Sequence, residues 1–239
     1  MNEQILQKTD DLTRFKGVET WIFDLDNTLY PRNCDLFAQM DVRMAQFIQN
    51  LKQVSYDEAR VLQKTHYRDY GTTLRGLMMV EKINPVDYLD FVHDIDYSPV
   101  QEAPALRAAL QALPGRKLIF TNGDVPHAMR TTDRLGITDV FDHVFDIIAS
   151  DLVPKPHREP YEKFLKVTGT RPEKAAMFED MPRNLAVPHA MNMRTVLITD
   201  PQVGSVARQH WETEITEAEH IHHQTHDLTA FLQDVGKLF

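Results

Sequence analysis

Asp24 and Asp26 stand two positions apart in the stretch Trp21–Pro31, WIFDLDNTLYP. An apolar run ends in both carboxylates, and Asn27-Thr28 follows. Like charges that close repel, and the neighbouring sequence offers neither a partner. Such a pair can hold a cation, attack an electrophile or move protons. Three later stretches carry matching chemistry. Thr121-Asn122-Gly123-Asp124 follows the run Lys117–Phe120, Lys155 sits in Val153-Pro154-Lys155-Pro156, and Glu179-Asp180 follows Ala175–Phe178 with Asn184 shortly downstream. Taken singly, an Asp after a strand caps a helix or makes a turn, and a lone Lys is a surface residue. Together and in this order they compose one site. Asp24, Asp26 and Asp180 supply oxygens for a hard cation such as Mg2+, whose charge answers the repulsion. Thr121 offers a hydroxyl and Asn122 an amide to phosphate oxygens, and Lys155 adds a point charge. A carboxylate can accept a phosphoryl group as an aspartyl-phosphate, with a metal stabilising the transferred charge.

The elements that must position these residues alternate. Strand-like runs recur at Trp21–Leu25, Lys117–Thr121, Val144–Ala149, Ala175–Phe178 and Thr195–Thr199, mostly with helix-like segments between them. That pattern predicts an α/β fold with a Rossmann-like parallel sheet, in which ligands bind beyond the carboxyl ends of the strands. The interval from Pro31 to about Pro99 breaks the alternation and reads as helical. Leu36, Met40, Met44, Phe47, Ile48 and Leu51 keep one apolar face at helical spacing. Ser55 with Glu58 predicts a capping box, Gly71 a helix end and Asn84-Pro85 a helix start. The expected division is a core of residues 1–31 and 100–239 with a small all-helical cap, 32–99, inserted after the first strand. The first fifteen or so residues read as a loosely attached helix.

Bulk composition narrows the partners. The chain has 239 residues, with 26 Lys and Arg against 35 Asp and Glu, for a formal net charge of -9. This balance argues against general binding of nucleic acid or anionic membrane. A single cysteine, Cys34, excludes an internal disulfide and reads as an inert thiol of a reducing compartment. No apolar run approaches the roughly 20 residues that span a bilayer. A soluble, cytoplasmic monomer or homodimer is expected.

The segments DLDNT, FTNGD, PKP and FEDMPRN resemble, in order, the motifs of the haloacid dehalogenase superfamily of phosphohydrolases. The resemblance covers nearly the whole chain, inserted cap included. It implies that Asp24 attacks phosphorus while Asp26 protonates the leaving oxygen and then activates water. It further implies that Asp26 ligates the metal through its backbone carbonyl, that Asp180 is the remaining protein ligand, and that Glu179 holds a metal-bound water. Thr28, Glu179 and Asn184 are expected as supporting residues of the site. The dehalogenases of that superfamily lack an acid two residues after the nucleophile, because halide leaves unprotonated. An alkoxide needs a proton, so Asp26 favours phosphate esters.

LDNTLYP, YRDYGTTLRGL, DYLDFVHD, His127-Ala128 and Arg134-Leu135-Gly136 together resemble the pyrimidine 5′-nucleotidase branch. That implies a small-molecule phosphate ester of the UMP or CMP type as substrate, met by Tyr30, Thr72, Thr73, Arg75 and His127. Three of them have a plainer alternative: a pair between Arg75 and Glu81 or another carboxylate on the cap surface, packing of Tyr30 without ligand contact, and capping or packing by His127. A sugar-phosphate phosphatase, a phosphosugar mutase and a non-catalytic phosphate-binding regulator share much of this pattern. The tract His220-Ile221-His222-His223-Gln224-Thr225-His226 invites a metal reading. It also fits an edge strand over 218–223 before a closing helix over 227–234, and that structural reading is the one expected.

Overall fold

A computed structural model describes residues 11–200 and 218–239. The runs assemble into one six-stranded sheet of order β3-β2-β1-β4-β5-β6. The strands are β1 (Thr20–Phe23), β2 (Arg116–Phe120), β3 (His143–Phe145), β4 (Ala175–Glu179), β5 (Arg194–Ile198) and β6 (His223–Thr225). Every pairing is parallel, with Ile22 opposite both Leu118 and Met177 in the centre. Side chains alternate between two cores, as period-2 pleating requires. Trp21, Phe23, Ile119, Ala176, Phe178 and Val196 pack on one face. Ile22, Leu118, Phe120, Met177 and Leu197 pack on the other. The first face is covered by α5 (Pro104–Ala112), α6 (Val125–Leu135) and the closing α9 (Leu228–Gly236). The second face meets Tyr161 and Phe164 of α7 (Arg158–Thr168) and the residues around α8 (Ala186–Ala190).

Between β1 and α5 run α1 (Leu36–Lys52), α2 (Tyr56–Tyr70), α3 (Thr73–Glu81) and α4 (Pro85–Val92). They have their own apolar centre, in which Met40, Ile48, Ala59, Leu74, Leu77, Tyr88, Leu89 and Val92 bury against Ile147. Local signals are obeyed. Ser55 and Glu58 form the reciprocal capping box, Gly71 ends α2 at φ +87°, and Pro85 opens α4 behind the Asn84 cap.

Three expectations need correction, and a fourth falls largely outside the described residues. Leu51 is exposed at 41%, because Ala45 takes the inner position on α1 beside Ile48. The third strand ends at Phe145 instead of reaching Ala149. The Asp146 carboxylate accepts the N–H groups of Val125 and Ala149 and folds the chain into a turn. At the opposite edge, 218–220 is a short 3-10 turn and the strand begins only at His223. There the Nδ1 of His222 accepts the Thr195 N–H at 3.1 Å, so a side chain takes the place of a ladder bond. The N-terminal expectation lies outside the described residues up to 10, while Leu12–Phe15 is a 3-10 turn that inserts Phe15 into the core.

Candidate active site

The loop after β1 separates the two aspartates. Asp24 N–H still bonds to Phe178 O at 2.9 Å, so its side chain emerges from the end of the sheet. The chain then turns, with Thr28 and Leu29 N–H groups donating to Leu25 O and Asn27 at φ +59°. Leu25, between the carboxylates, is wholly buried in the core. Asp24 and Asp26 therefore both face a cleft that is also lined by helices α1 to α4.

Asp24 is buried. Its Oδ1 accepts from Lys155 Nζ at 2.7 Å and its Oδ2 from Thr28 Oγ1 at 3.1 Å. Lys155 Nζ also donates to Phe120 O and to Glu179 Oε1, each at 2.8 Å. Asn122 fixes the Lys155 backbone by accepting its N–H at 2.9 Å and donating to its carbonyl at 3.3 Å. Burial pushes the Asp24 carboxyl up to about 7, against the pull of Lys155 and helped by Glu179 and Asp26. Burial alone would lower Lys155, but Asp24 and Glu179 outweigh it and hold its proton firmly.

Asp24, Glu179 and Asp180 bring carboxylate oxygens within 4.8 Å of one another, all buried. Glu179 is held on both oxygens, Oε1 by Lys155 and Asn184 (2.6 Å) and Oε2 by Met181 N–H (2.7 Å). Asp180 pairs with Arg32. Burial, then Glu179 and Asp24, nevertheless raise its carboxyl well above the usual range. An all-oxygen, buried donor set with more negative than positive charge fits a hard divalent cation such as Mg2+.

The Asp26 carboxylate lies outside that cluster. Its Oδ1 accepts from Tyr30 OH at 2.6 Å and from His127 Nε2 at 2.8 Å. Burial would raise this carboxyl, but the His127 imidazole and the Tyr30 hydroxyl hold it below the usual value. His127 starts α6, where its N–H donates to the capping Asp124 at 2.9 Å. Its ring stacks on His93 at 4.4 Å, and its Nδ1 lies 2.8 Å from Tyr97 OH.

The expected substrate contacts divide. Thr72, Thr73 and Asn122 line the cleft, but Tyr30, Arg75, Thr121 and His127 do not. Tyr30 (2% exposed) and His127 (0%) are buried and both bond to Asp26. Thr121 Oγ1 accepts from Gly123 N–H at 2.9 Å, shaping the loop from beneath. Arg75 has a buried, unbonded Nη1, and its alternative partner Glu81 is paired with Lys52. The histidine tract forms no metal-holding group among the described residues. Arg32 and Tyr97 carry no local signal that marks them as site residues, and His93, Tyr67 and Arg183 lie in motif-like segments that do not single them out. Arg183 Nη2 donates to Tyr67 OH at 2.7 Å across 116 positions.

The chain matches the family described as haloacid dehalogenase-like hydrolase over residues 18–191. A Saccharomyces cerevisiae protein, Phosphate metabolism protein 8, is 30% identical over 161 residues, which are 60% of this chain and 50% of that protein. The chain thus spans about half the length of this relative. The fold is similar to L-2-haloacid dehalogenase from Xanthobacter autotrophicus, with TM-score 0.56, 14% identity and coverage of 92% and 98% of the two chains. It is also similar to a haloacid dehalogenase-like protein of unknown function from Agrobacterium tumefaciens, with TM-score 0.54, 16% identity and coverage of 92% and 97%. With the family match spanning the loops after β1, β2 and β4 as well as the helices between β1 and β2, the chain belongs to the haloacid dehalogenase-like hydrolases.

Proposed function

We propose that this hydrolase is a Mg2+-dependent phosphomonoesterase that works through an aspartyl-phosphate on Asp24. The observation that carries the reading is the division of labour between the two carboxylates. Asp24 shares Lys155 with Glu179 inside the metal-capable cluster, whereas Asp26 is held apart by Tyr30 and His127 at the edge of the same cleft. Asp24 would attack phosphorus, and Asp26 would give a proton to the leaving oxygen and later take one from water. Mg2+ held by Asp24, Asp180 and the Glu179 side would supply positive charge opposite the phosphoryl oxygens. Asp26 is low in the free protein. A dianionic ester entering the cleft adds like charge beside it and raises it again. The yeast relative is named for phosphate metabolism. The dehalogenase likeness, at 14% identity, concerns the fold alone. An acid held ready beside the nucleophile serves an alkoxide, which a departing halide would not require.

The substrate we propose is a pyrimidine nucleoside 5′-monophosphate of the UMP or CMP type, with residues 32–99 acting as the cap that selects it. Supporting this are the quoted cap segments and a cleft wall that joins Thr72 and Thr73 to apolar Met40, Met44, Leu74 and Tyr88. A wall of mixed polar and apolar groups suits a sugar and a base. The test is a panel of UMP, CMP, AMP, GMP and sugar phosphates with Mg2+, comparing kcat/KM. UMP or CMP should lead. Sugar phosphates ahead of every nucleotide by about tenfold, roughly 1.4 kcal/mol of transition-state binding, would sink the nucleotide assignment and leave the phosphatase standing.

A further inference from the structure

The Tyr30 hydroxyl and the His127 ring are buried, lie outside the cleft wall and still reach the residue at its edge. Both hydrogen bonds fall on the same oxygen, Oδ1 of Asp26, at 2.6 and 2.8 Å. A free carboxyl group can rotate about its Cβ–Cγ bond and present either oxygen to a substrate. Here two protein donors hold one oxygen. With the His127 proton on Nε2, this oxygen accepts one O–H and one N–H bond and has no lone pair left for a proton of its own. The other oxygen, Oδ2, faces Gly123, where even an added Cβ would stay 3.9 Å away.

We infer that Tyr30 and His127 are positioning residues that fix the transferable proton of Asp26 on Oδ2, on the side of Gly123. The inference rests on the phosphomonoesterase reading. His127 can do this because it is itself immobilised from three directions: Asp124 on its backbone, Tyr97 on Nδ1 and His93 against its ring. Tyr30 reaches Asp26 from one turn further along the same loop. In ester cleavage an Asp24 oxygen bonds phosphorus and the ester P–O bond breaks. Its electron pair stays on the leaving oxygen, which takes the proton from Oδ2. In the return step water bonds phosphorus and its proton passes to Oδ2. The P–O bond to Asp24 then breaks, and the electron pair restores the carboxylate.

The test uses the full chain with Mg2+ and a series of phosphate esters running from p-nitrophenyl to alkyl. Tyr30→Phe and His127→Phe keep the packing and remove the donors, while His127→Gln returns an N–H near the position of Nε2. The parameter to follow is kcat/KM, which reports cleavage of the ester and not the later hydrolysis. Misplacing the acid should cost the alkyl esters about tenfold to a hundredfold, and p-nitrophenyl phosphate only a few-fold at most. His127→Gln should recover part of the loss, and Asp26→Asn should mark its upper limit. Thermal unfolding of each variant identifies any that fails to fold, and Tyr30→Phe, which loses one oxygen only, keeps the test intact if His127→Phe does fail. Equal losses for all esters, or a change in KM alone, overturn the inference. A wild type inert towards every ester overturns the phosphomonoesterase reading and this one with it. An active wild type with uniformly weakened variants overturns this one alone.

Discussion

Asp24 and Asp26 are the same side chain two positions apart, and their surroundings set them in opposite directions. Burial lifts Asp24 to about 7 even with Lys155 beside it. Burial would lift Asp26 too, but His127 and Tyr30 hold it down. A group that keeps its proton up to about 7 must lose it before it can ligate a cation. Binding of Mg2+ should therefore release protons, and affinity should strengthen as pH rises through that value. Titration calorimetry in buffers of different ionisation heat, run about one unit either side of pH 7, reads both quantities. Affinity that is flat across that interval, with no proton release, would contradict the placement of Asp24 among the ligands. Asp24→Asn should bind Mg2+ with less proton release and should abolish turnover of any phosphate ester. At this scale the sequence was informative wherever chemistry follows directly on an apolar run, as with Asp24, Asp26 and Asp180. It was silent where the partner is remote. His127 meets Asp26 across 101 positions and Arg32 meets Asp180 across 148, and nothing near either residue announces the contact.

Elements were legible in proportion to how local their causes are. The Ser55 capping box, the Gly71 helix end and the Asn84-Pro85 start are decided within a few residues, and they form as their residues dictate. The third strand and the histidine-rich edge depend on side chains replacing backbone partners, Asp146 in one case and His222 in the other, and periodicity does not register such replacements. The turn into β2 shows how tightly the central strands are set. Gly115 has φ +76°, and a Cβ there would lie 2.2 Å from the carbonyl oxygen of Glu19, which accepts the Arg116 N–H that opens the β1–β2 ladder. Gly169 has a similar φ of +63° after α7 but open space around it. Gly169→Ala should therefore cost only the backbone strain, about 1 kcal/mol. Gly115→Ala adds a clash with main chain that cannot swing aside, so about 3 kcal/mol or more is expected. Chemical denaturation of both variants provides the comparison. Equal losses would mean that β1 and β2 can slide to make room, and with them the loops that carry Asp24 and Thr121.

At the scale of the whole molecule, the cleft joins two packed bodies of side chains. Its floor is the ends of β1, β2 and β4 with Lys155, and its wall is α1 to α4, whose apolar centre is largely their own. The chain crosses between these regions at Pro31–Asp35 and again around His93–Val100. Both crossings touch the site, Arg32 through Asp180 and His93 through the ring of His127. A ligand that contacts floor and wall together should therefore restrain both crossings and draw on the stability of both regions. Mg2+ with beryllium fluoride, which mimics the phosphoryl group on an aspartate, is the probe for the floor, and on the proposed substrate reading a pyrimidine nucleoside is the probe for the wall. A ligand at a hundred times its dissociation constant stabilises by about 2.7 kcal/mol. For a chain of this length that corresponds to a rise in Tm of roughly 5–10 °C. Amide exchange should slow at the strand ends with Mg2+ and beryllium fluoride, and in α1 to α4 only when the nucleoside is added. The Asp24→Asn variant should lose the first effect. Protection of the helices by Mg2+ and beryllium fluoride alone would mean that the charge at the sheet ends suffices to close the cleft. The leaving group would then be chosen before closure, and the wall residues Thr72 and Thr73 would act on entry and not on the closed complex.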